Sequence, residues 1–118
     1  MEKRILVVDD KKSIRNLVQI FLSHQGYEII TASDGVNGIR EFNRGGIDLV
    51  LTDIIMPNMD GIQLYYEIRK INSRCPIYIM SGYTDNIELQ ELINNGVKYL
   101  KKPFKLEKLA EMVRSAFV

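Results

Sequence analysis

The chain is poor in the residues that would commit it to several common functions. It has one cysteine and one histidine in 118 residues. Cys75 alone cannot close an internal disulfide and reads as a small apolar core or loop residue in a reducing compartment. His24 has no ligand set beside it in the sequence and reads as a surface residue, not as a phosphohistidine. Charge of one sign is missing too: 16 Lys and Arg face 15 Asp and Glu. No field over the whole surface therefore draws the chain to nucleic acid or to an anionic membrane, and no recognition helix with a basic groove-facing surface is evident. No apolar run approaches the roughly 20 residues needed to cross a bilayer. The N-terminus runs straight into Asp9-Asp10 and lacks the apolar core of a signal peptide. Repeats and low-complexity tracts are absent. A cytoplasmic chain folding as one domain over residues 1–118 is expected, with nothing left over for an output domain or linker.

What is present is a set of four short apolar runs, each ending on a residue that can handle phosphate or a divalent cation. Ile5-Leu6-Val7-Val8 ends on Asp9-Asp10, and Leu49-Val50-Leu51-Thr52 ends on Asp53. Ile77-Tyr78-Ile79-Met80 ends on Ser81, and Lys98-Tyr99-Leu100-Lys101 ends on Lys102. Short β-branched runs separated by amphipathic stretches read as strands of a parallel sheet, and ligands of such sheets bind outside the carboxyl ends of the strands.

Five β-α units follow from this pattern. The expected strands are about Arg4–Val8, Glu28–Thr31, Asp48–Thr52, Ile77–Met80 and Val97–Leu100. The first helix places Ile14, Leu17, Val18, Phe21 and Leu22 on one stripe and stops at Gly26. The second, from about Gly35 to Arg44, carries Gly38 inside it, at a cost of about 1 kcal/mol relative to alanine, and should be the weakest. The third opens at Asp60 with Gln63 three residues on, a capping-box pattern, and buries Ile62, Leu64, Tyr65, Ile68 and Ile71. The fourth shows the same pattern at Asp85 and Glu88 and stops at Gly96. The fifth runs from about Leu106 with Leu106, Leu109, Ala110, Val113 and Phe117 inward. Strict alternation with right-handed crossovers predicts an α/β fold: a five-stranded parallel sheet of order 2-1-3-4-5 flanked by five helices. The point where the strand order reverses lies between strands one and three, where Asp9, Asp10 and Asp53 sit.

Three aspartates against one lysine leave such an edge at about −2, and like charges this close raise one another's pKa unless something neutralises them. Mg²⁺ suits the set, because it accepts a few carboxylate oxygens together with water and a phosphate, whereas Ca²⁺ wants more oxygen ligands than are visible. With a phosphoryl group present, Lys102 can neutralise one oxygen and Ser81 can donate a hydrogen bond to another. A carboxylate nucleophile forming an acyl phosphate is established chemistry. Asp53, the lone acid on a central strand, is the best candidate, with Asp9 and Asp10 holding the metal.

Five blocks in order, Asp9-Asp10, Asp53 after Asp-Leu-Val-Leu-Thr, Met56-Pro57-Asn58-Met59-Asp60-Gly61, Ser81-Gly82 and Lys102-Pro103-Phe104, resemble the receiver domain of two-component response regulators, a flavodoxin-like fold. The resemblance covers the whole chain and implies a single-domain regulator, either chemotaxis-like or sporulation-phosphorelay-like. It implies that Asp53 is the phospho-acceptor, charged by a sensor histidine kinase or a histidine phosphotransfer protein, and that the chain is a signalling protein which catalyses its own phosphorylation and dephosphorylation. Mg²⁺ would be held directly by Asp10, Asp53 and the backbone carbonyl of Ile55, with Asp9 acting through a bound water. Lys102 would contact the phosphoryl group, and the Lys102-Pro103 bond would be cis. Ser81, which replaces the family's more frequent Thr, and Tyr99 would form the switch that shifts populations of the helix 4–strand 5–helix 5 surface. Ile55 and Tyr83 occupy the two positions that vary with phosphate lifetime, and their bulk predicts slow self-hydrolysis. The donor would dock on helix one near Ile14 and Leu17, with Ile20 beside them, and on the Pro103-Phe104 edge. The output would be transfer to a second phosphotransferase or binding of a target protein, with no direct contact to nucleic acid or membrane.

Plainer readings apply to each residue in isolation. Asp9-Asp10 would serve as an N-cap and a solvated loop acid, Asp53 would begin a turn before Pro57, Ser81 would satisfy backbone groups, and Tyr99 would keep its hydroxyl in water. Lys98, Lys101, Lys105 and Lys108 read as a solvated face. The rival functions are a receiver fragment of a longer regulator, a partner-binding receiver that is never phosphorylated, and an aspartyl-phosphate phosphatase. The phosphatase reading lacks the second acid two residues after the nucleophile, where Ile55 stands. A flavodoxin-like nucleotide- or flavin-binding protein is the remaining rival. It needs a glycine- or hydroxyl-rich loop after strand one, where this chain has Asp-Asp-Lys-Lys-Ser.

Overall fold

The computed structural model describes residues 2–82 and 86–118. Five strands, β1 (Arg4–Val8), β2 (Glu28–Ala32), β3 (Leu49–Thr52), β4 (Ile77–Ser81) and β5 (Tyr99–Lys101), alternate with five helices: α1 (Lys12–His24), α2 (Gly35–Asn43), α3 (Gly61–Ile71), α4 (Ile87–Asn94) and α5 (Leu106–Ser115). All neighbouring strands pair in parallel, in the order β2-β1-β3-β4-β5. This is the doubly wound order expected from the alternation of elements.

The apolar runs are continuous because the central strands are buried on both faces. Ile5, Val7, Leu49, Leu51, Tyr78 and Met80 pack beneath Val18 and Leu22 of α1 and Leu109 and Val113 of α5. Leu6, Val8, Val50 and Ile77 point the other way, against Phe42 of α2 and Leu64 and Ile68 of α3. Ile79 joins Leu89 and Leu92 of α4 together with Ile54 and Ile62. The two-residue period of each strand thus divides one run between two cores.

Several local expectations shift. Leu17 is 46% exposed and Ile71 52% exposed, so neither belongs to its helix's buried stripe. Leu17 lies at the margin of the stripe set by Ile14, Val18 and Leu22, and Ile71 closes the last turn of α3. β5 starts two residues later than expected, because the Val97 N–H returns to the Leu92 carbonyl (3.0 Å) and ends α4 instead of entering the ladder. α4 begins at Ile87 with Asn86 as its N-cap, the Asn86 side chain accepting from the Leu89 N–H at 2.9 Å. Asp85, where the cap was expected, lies outside the described residues. The α3 capping box of Asp60 and Gln63 is formed in both directions. Gly38 has a packing reason: an added Cβ would come within 3.2 Å of Val8 and 3.3 Å of Leu64, so glycine lets α2 lie close over β1 and α3.

Candidate functional site

Asp9 and Asp53 leave their strands while the backbone is still bonded into the sheet. The Asp9 N–H donates to the Ala32 carbonyl (3.1 Å) and the Asp53 N–H to the Val8 carbonyl (2.9 Å). Adjacent parallel strands therefore deliver both acids to one edge. Asp9 is fully buried, Asp53 nearly so, and Asp10 is exposed. One oxygen from each of the three lies within 4.8 Å of the others. The turn folds around Asp9: its Oδ1 accepts from the Lys11 N–H (2.9 Å), and its carbonyl accepts from the Arg15 guanidinium (2.7 Å). The capping alternative does not hold, because Lys11 is the N-cap of α1 and no side chain caps it.

Lys102 reaches back from the end of β5 to this cluster. Its Nζ is hydrogen-bonded to Asp9 Oδ2 and lies 3.1 Å from Asp53 Oδ2. Burial works to lower the Lys102 pKa, but the bond to Asp9 and the two carboxylate charges outweigh it and raise the pKa. Burial likewise raises the Asp53 carboxyl, and the Asp9 charge adds to it, against the lowering effects of Lys102 and of the Ile54 N–H that donates to Asp53 Oδ1 at 2.7 Å. The Lys102 charge thus does not offset the burial of Asp53 and the Asp9 charge beside it.

Ser81 ends β4 and is buried. Its carbonyl accepts from the Lys102 N–H (3.0 Å) and from the Tyr99 hydroxyl (2.7 Å), which ties the ends of β4 and β5 together. Tyr99 is therefore turned inward and bonded, contrary to the solvated alternative, and burial raises its pKa. A cleft of about 370 Å³ is lined by Asp10, Lys11, Asp53, Ile55, Ser81, Gly82 and Lys102. The Lys102-Pro103 bond is cis.

The donor set is three clustered carboxylates, of which Asp10 and Asp53 line the cleft, hard oxygens without a sulfur or imidazole among them, and it fits Mg²⁺. A cation would also offset the burial and the Asp9 charge that raise Asp53. The β1–α1 loop presents acids where a phosphate-binding loop would present backbone N–H groups, so the edge is not built for a bare nucleotide or flavin phosphate.

Other expected positions are distributed as follows. Ile55 is 58% exposed at the rim of the cleft, and Tyr83 lies outside the described residues. Leu17 and Ile20 (62% exposed) are on the outer face of α1, while Ile14 and Phe104 are half-buried against the α1–α5 core and Pro103 is exposed. Lys98, Lys101, Lys105 and Lys108 are all exposed, as is His24.

Three features of the surroundings went unread in the sequence. Arg15 bonds the Asp9 carbonyl. Gly61 sits where any side chain would strike the Asp53 backbone. Asp34 bonds Asn58 across 24 residues of sequence. Asp34 had a local signal as a helix-capping residue just before Gly35, and Gly61 closes the Met56–Gly61 block, but neither contact is marked in the sequence.

Comparison with known proteins places this geometry. The family model for the response regulator receiver domain matches residues 5–114. The transcriptional regulatory protein GlrR of Escherichia coli (strain K12) is 33% identical over 113 residues, covering 95% of this chain and 26% of GlrR. A response regulator receiver domain protein from Clostridium thermocellum superposes with a TM-score of 0.89 at 32% identity, covering 97% of this chain and 93% of that one. TrrA from Thermotoga maritima, solved in complex with Mg²⁺ and BeF, gives a TM-score of 0.85 at 35% identity, covering 97% and 98%. The chain spans about a quarter to a half of the length of the curated relatives it matches. With a family match over nearly its full length, it belongs to the response regulator receiver domains, the phospho-acceptor signalling domains of two-component systems.

Proposed function

We propose that residues 1–118 form one receiver unit that takes a phosphoryl group from a phosphohistidine partner onto Asp53 in a Mg²⁺-dependent step. The observation that carries this reading is the convergence of Asp9, Asp10 and Asp53 with Lys102 at the carboxyl edge of β1, β3 and β5. Asp53 Oδ1 is fixed by the Ile54 N–H, which leaves Oδ2 as the nucleophilic oxygen. Oδ2 forms the O–P bond as the histidine N–P bond breaks, and the bonding pair stays on the imidazole nitrogen. Lys102, already beside Oδ2, pairs with a phosphoryl oxygen, and the Ser81 hydroxyl donates to another. Asp10, Asp53 and the Ile55 carbonyl would hold Mg²⁺, with Asp9 acting through water. The bound ion would supply charge neutralisation between the carboxylates and the phosphate. The Mg²⁺ and BeF in the TrrA structure support that assignment.

The same residues carry the switch. Tyr99 and Ser81 are coupled through the Ser81 carbonyl, so a Ser81 drawn toward phosphate pulls on Tyr99 and on the surface of α4, β5 and α5. The donor, a sensor histidine kinase or a phosphotransfer protein, docks on Ile14, Leu17 and Ile20 of α1 and on Pro103 and Phe104. Self-catalysed phosphorylation and hydrolysis belong to the same reading. The output is transfer to a second phosphotransferase or binding of a target protein. A second reading, a receiver module of a longer regulator, is supported by the partial span of the curated relatives.

Intact mass after incubation with a small acyl-phosphate donor tests the chemistry. One phosphoryl group should be gained with Mg²⁺ and none in chelator. Uptake without metal, or at a residue other than Asp53, would overturn the reading. The lifetime proposal has its own test. Ile55 shields the acyl phosphate, so Ile55→Asn, which places a polar group where it can orient water, should shorten the phosphate half-life by about tenfold, equivalent to about 1.4 kcal/mol of barrier. An unchanged half-life would remove Ile55 from that role.

A further inference from the structure

Asp34 has no part in the chemistry above, yet it is one of the few buried carboxylates among the described residues. Its Oδ1 accepts from the Asn37 N–H (2.8 Å) and caps α2, which explains one oxygen. The other accepts from Asn58 Nδ2 at 2.6 Å, a bond that a helix cap does not need. Asn58 stands in the β3–α3 loop and is the non-glycine residue, among those described, with a left-handed backbone (φ 69°). The next residue is tied at the same place, because the Gly35 N–H donates to the Met59 carbonyl at 3.0 Å. A Cβ at position 35 would strike Met59, so the loop lies directly on the start of α2. At its other end the loop is tied by the Gly61 N–H to the Ile54 carbonyl (2.8 Å).

Ile55 lies between these two ties. Its side chain is exposed and does not anchor it, whereas Ile54 and Met56 on either side are buried. Apolar packing fixes where those neighbours sit but is non-directional. The direction of a carbonyl is set by hydrogen bonds and by the turn that follows it. Asn58 makes that turn, and Asp34 holds Asn58 in it. The Asn37 amide, and then the Asn58 side chain, hold the Asp34 carboxyl below the usual carboxylate range, so it stays an acceptor for both donors.

We infer that Asp34 is a positioning residue for the metal site: through Asn58 it sets the loop that presents the Ile55 carbonyl beside Asp10 and Asp53. The inference rests on the Mg²⁺ site proposed above. Partners one step removed from a metal ligand commonly change affinity by about 10- to 100-fold.

The test is Mg²⁺ titration of the full chain, followed by NMR at the Ile55 and Asp53 amides, with amide exchange of residues 54–60 measured in chelator and the melting midpoint measured in parallel. Asp34→Ser keeps a good N-cap but loses the reach to Asn58. Asn58→Gly keeps the left-handed turn but loses the bond. Both should weaken Mg²⁺ by about tenfold and speed exchange in the loop. The double variant Asp34→Asn with Asn58→Asp restores a donor and an acceptor in exchanged places and should return the affinity to within about threefold of wild type. Wild-type affinity in Asp34→Ser and Asn58→Gly, whatever their melting midpoints, would reduce Asp34 to a helix cap and overturn this inference alone. Absence of Mg²⁺ binding by the wild type would overturn the metal site and this inference with it.

Discussion

Replacing Asp53 with asparagine should make the metal-free protein more stable while abolishing phosphoryl uptake. Loss of the proposed nucleophile accounts for the second effect, and the first follows from the electrostatics of the edge. Burial and the Asp9 charge raise the Asp53 pKa in the fold despite Lys102. The folded chain therefore binds this proton more tightly than the unfolded chain does. That contribution to stability is fully present below the ordinary carboxylate value and is lost as pH rises through the folded-state value. Once ionised, the carboxylate bears that cost of burial and of the Asp9 charge. Asparagine removes the charge, keeps an oxygen for the Ile54 N–H, and leaves Lys102 paired with Asp9. In chelator at neutral pH, Asp53→Asn should melt several degrees higher than wild type, about 1 kcal/mol corresponding to roughly 4 °C in a domain of this size. The gap should narrow as pH falls toward the carboxylate range. Mg²⁺ should reverse the order: at a hundredfold excess over its dissociation constant it adds about 2.7 kcal/mol to the wild type, and far less to a variant missing one ligand. A wild type that melts above Asp53→Asn in chelator would mean that the Lys102 attraction outweighs desolvation.

Asp34 should behave in the opposite sense. Its folded-state pKa is lowered, so its contribution is present above the ordinary carboxylate value and is lost as pH falls through the lowered one. Two buried aspartates, one capping α2 beyond β2 and one at the end of β3, thus differ by what surrounds them. Asp34 has neutral hydrogen-bond donors, Asn37 foremost and then Asn58, a smaller favourable charge from Arg40, and no like charge among the causes of its shift. Asp53 has one lysine to share with Asp9.

The β1, β3 and β4 runs could be read from the sequence because burial on both faces leaves them almost wholly apolar, with Thr52 the polar exception. The first polar residue after each run then marks the edge. For that reason Asp9, Asp53 and Ser81 fall at the strand ends that the pattern marks. β5 was harder, because Lys98-Tyr99-Leu100-Lys101 has a single fully buried residue and its start depends on how α4 ends. At α4, Asp85 and Asn86 are adjacent residues of nearly equal capping preference, so sequence alone cannot choose between them. Leu17 and Ile71 have the right residue type at nearly the right spacing, and only the packed neighbours decide which margin of a helix is covered. Asn58 could be assigned to a turn but not to Asp34. That bond exists because glycines at 35 and 38 bring α2 down onto the loop and the sheet, a consequence of tertiary packing that no local pattern records.

Gly61→Ala is expected to be the most damaging single-methyl change in the chain. On helix propensity alone it should help, because alanine is favoured over glycine by about 1 kcal/mol inside a helix, and Gly61 is the first residue of α3 behind a complete capping box. Sterics decide otherwise. The added Cβ would overlap the Asp53 carbonyl oxygen and lie 2.9 Å from the Asp53 carbonyl carbon and from Ile54 Cα. These are backbone atoms of the segment that positions Asp53, not the end of a side chain that could rotate away. Relief requires α3 to retreat, which breaks the Gly61–Ile54 bond and loosens Ile62 and Leu64 in two cores, or it requires Asp53 to move out of reach of Lys102. Either route should cost about 3 kcal/mol or more, lowering the melting midpoint by roughly 10 °C and weakening Mg²⁺ binding at the same time. The same substitution elsewhere gives a graded control. At Gly82 the new Cβ would meet only the Lys102 carbonyl oxygen at 3.7 Å and the Lys102 side chain at 3.9 Å, ordinary contacts, and the effect should stay within about 0.5 kcal/mol. At Gly38 the propensity gain should offset a squeeze against the branched tips of Val8 and Leu64 at 3.2 and 3.3 Å, leaving a loss of no more than about 1 kcal/mol. If Gly61→Ala melts with the Gly82 variant, backbone contact between α3 and the end of β3 is not what holds Asp53 in place. If the three fall in the order Gly82, Gly38, Gly61, the closeness of that contact sets both the stability of the fold and the geometry of its reactive edge.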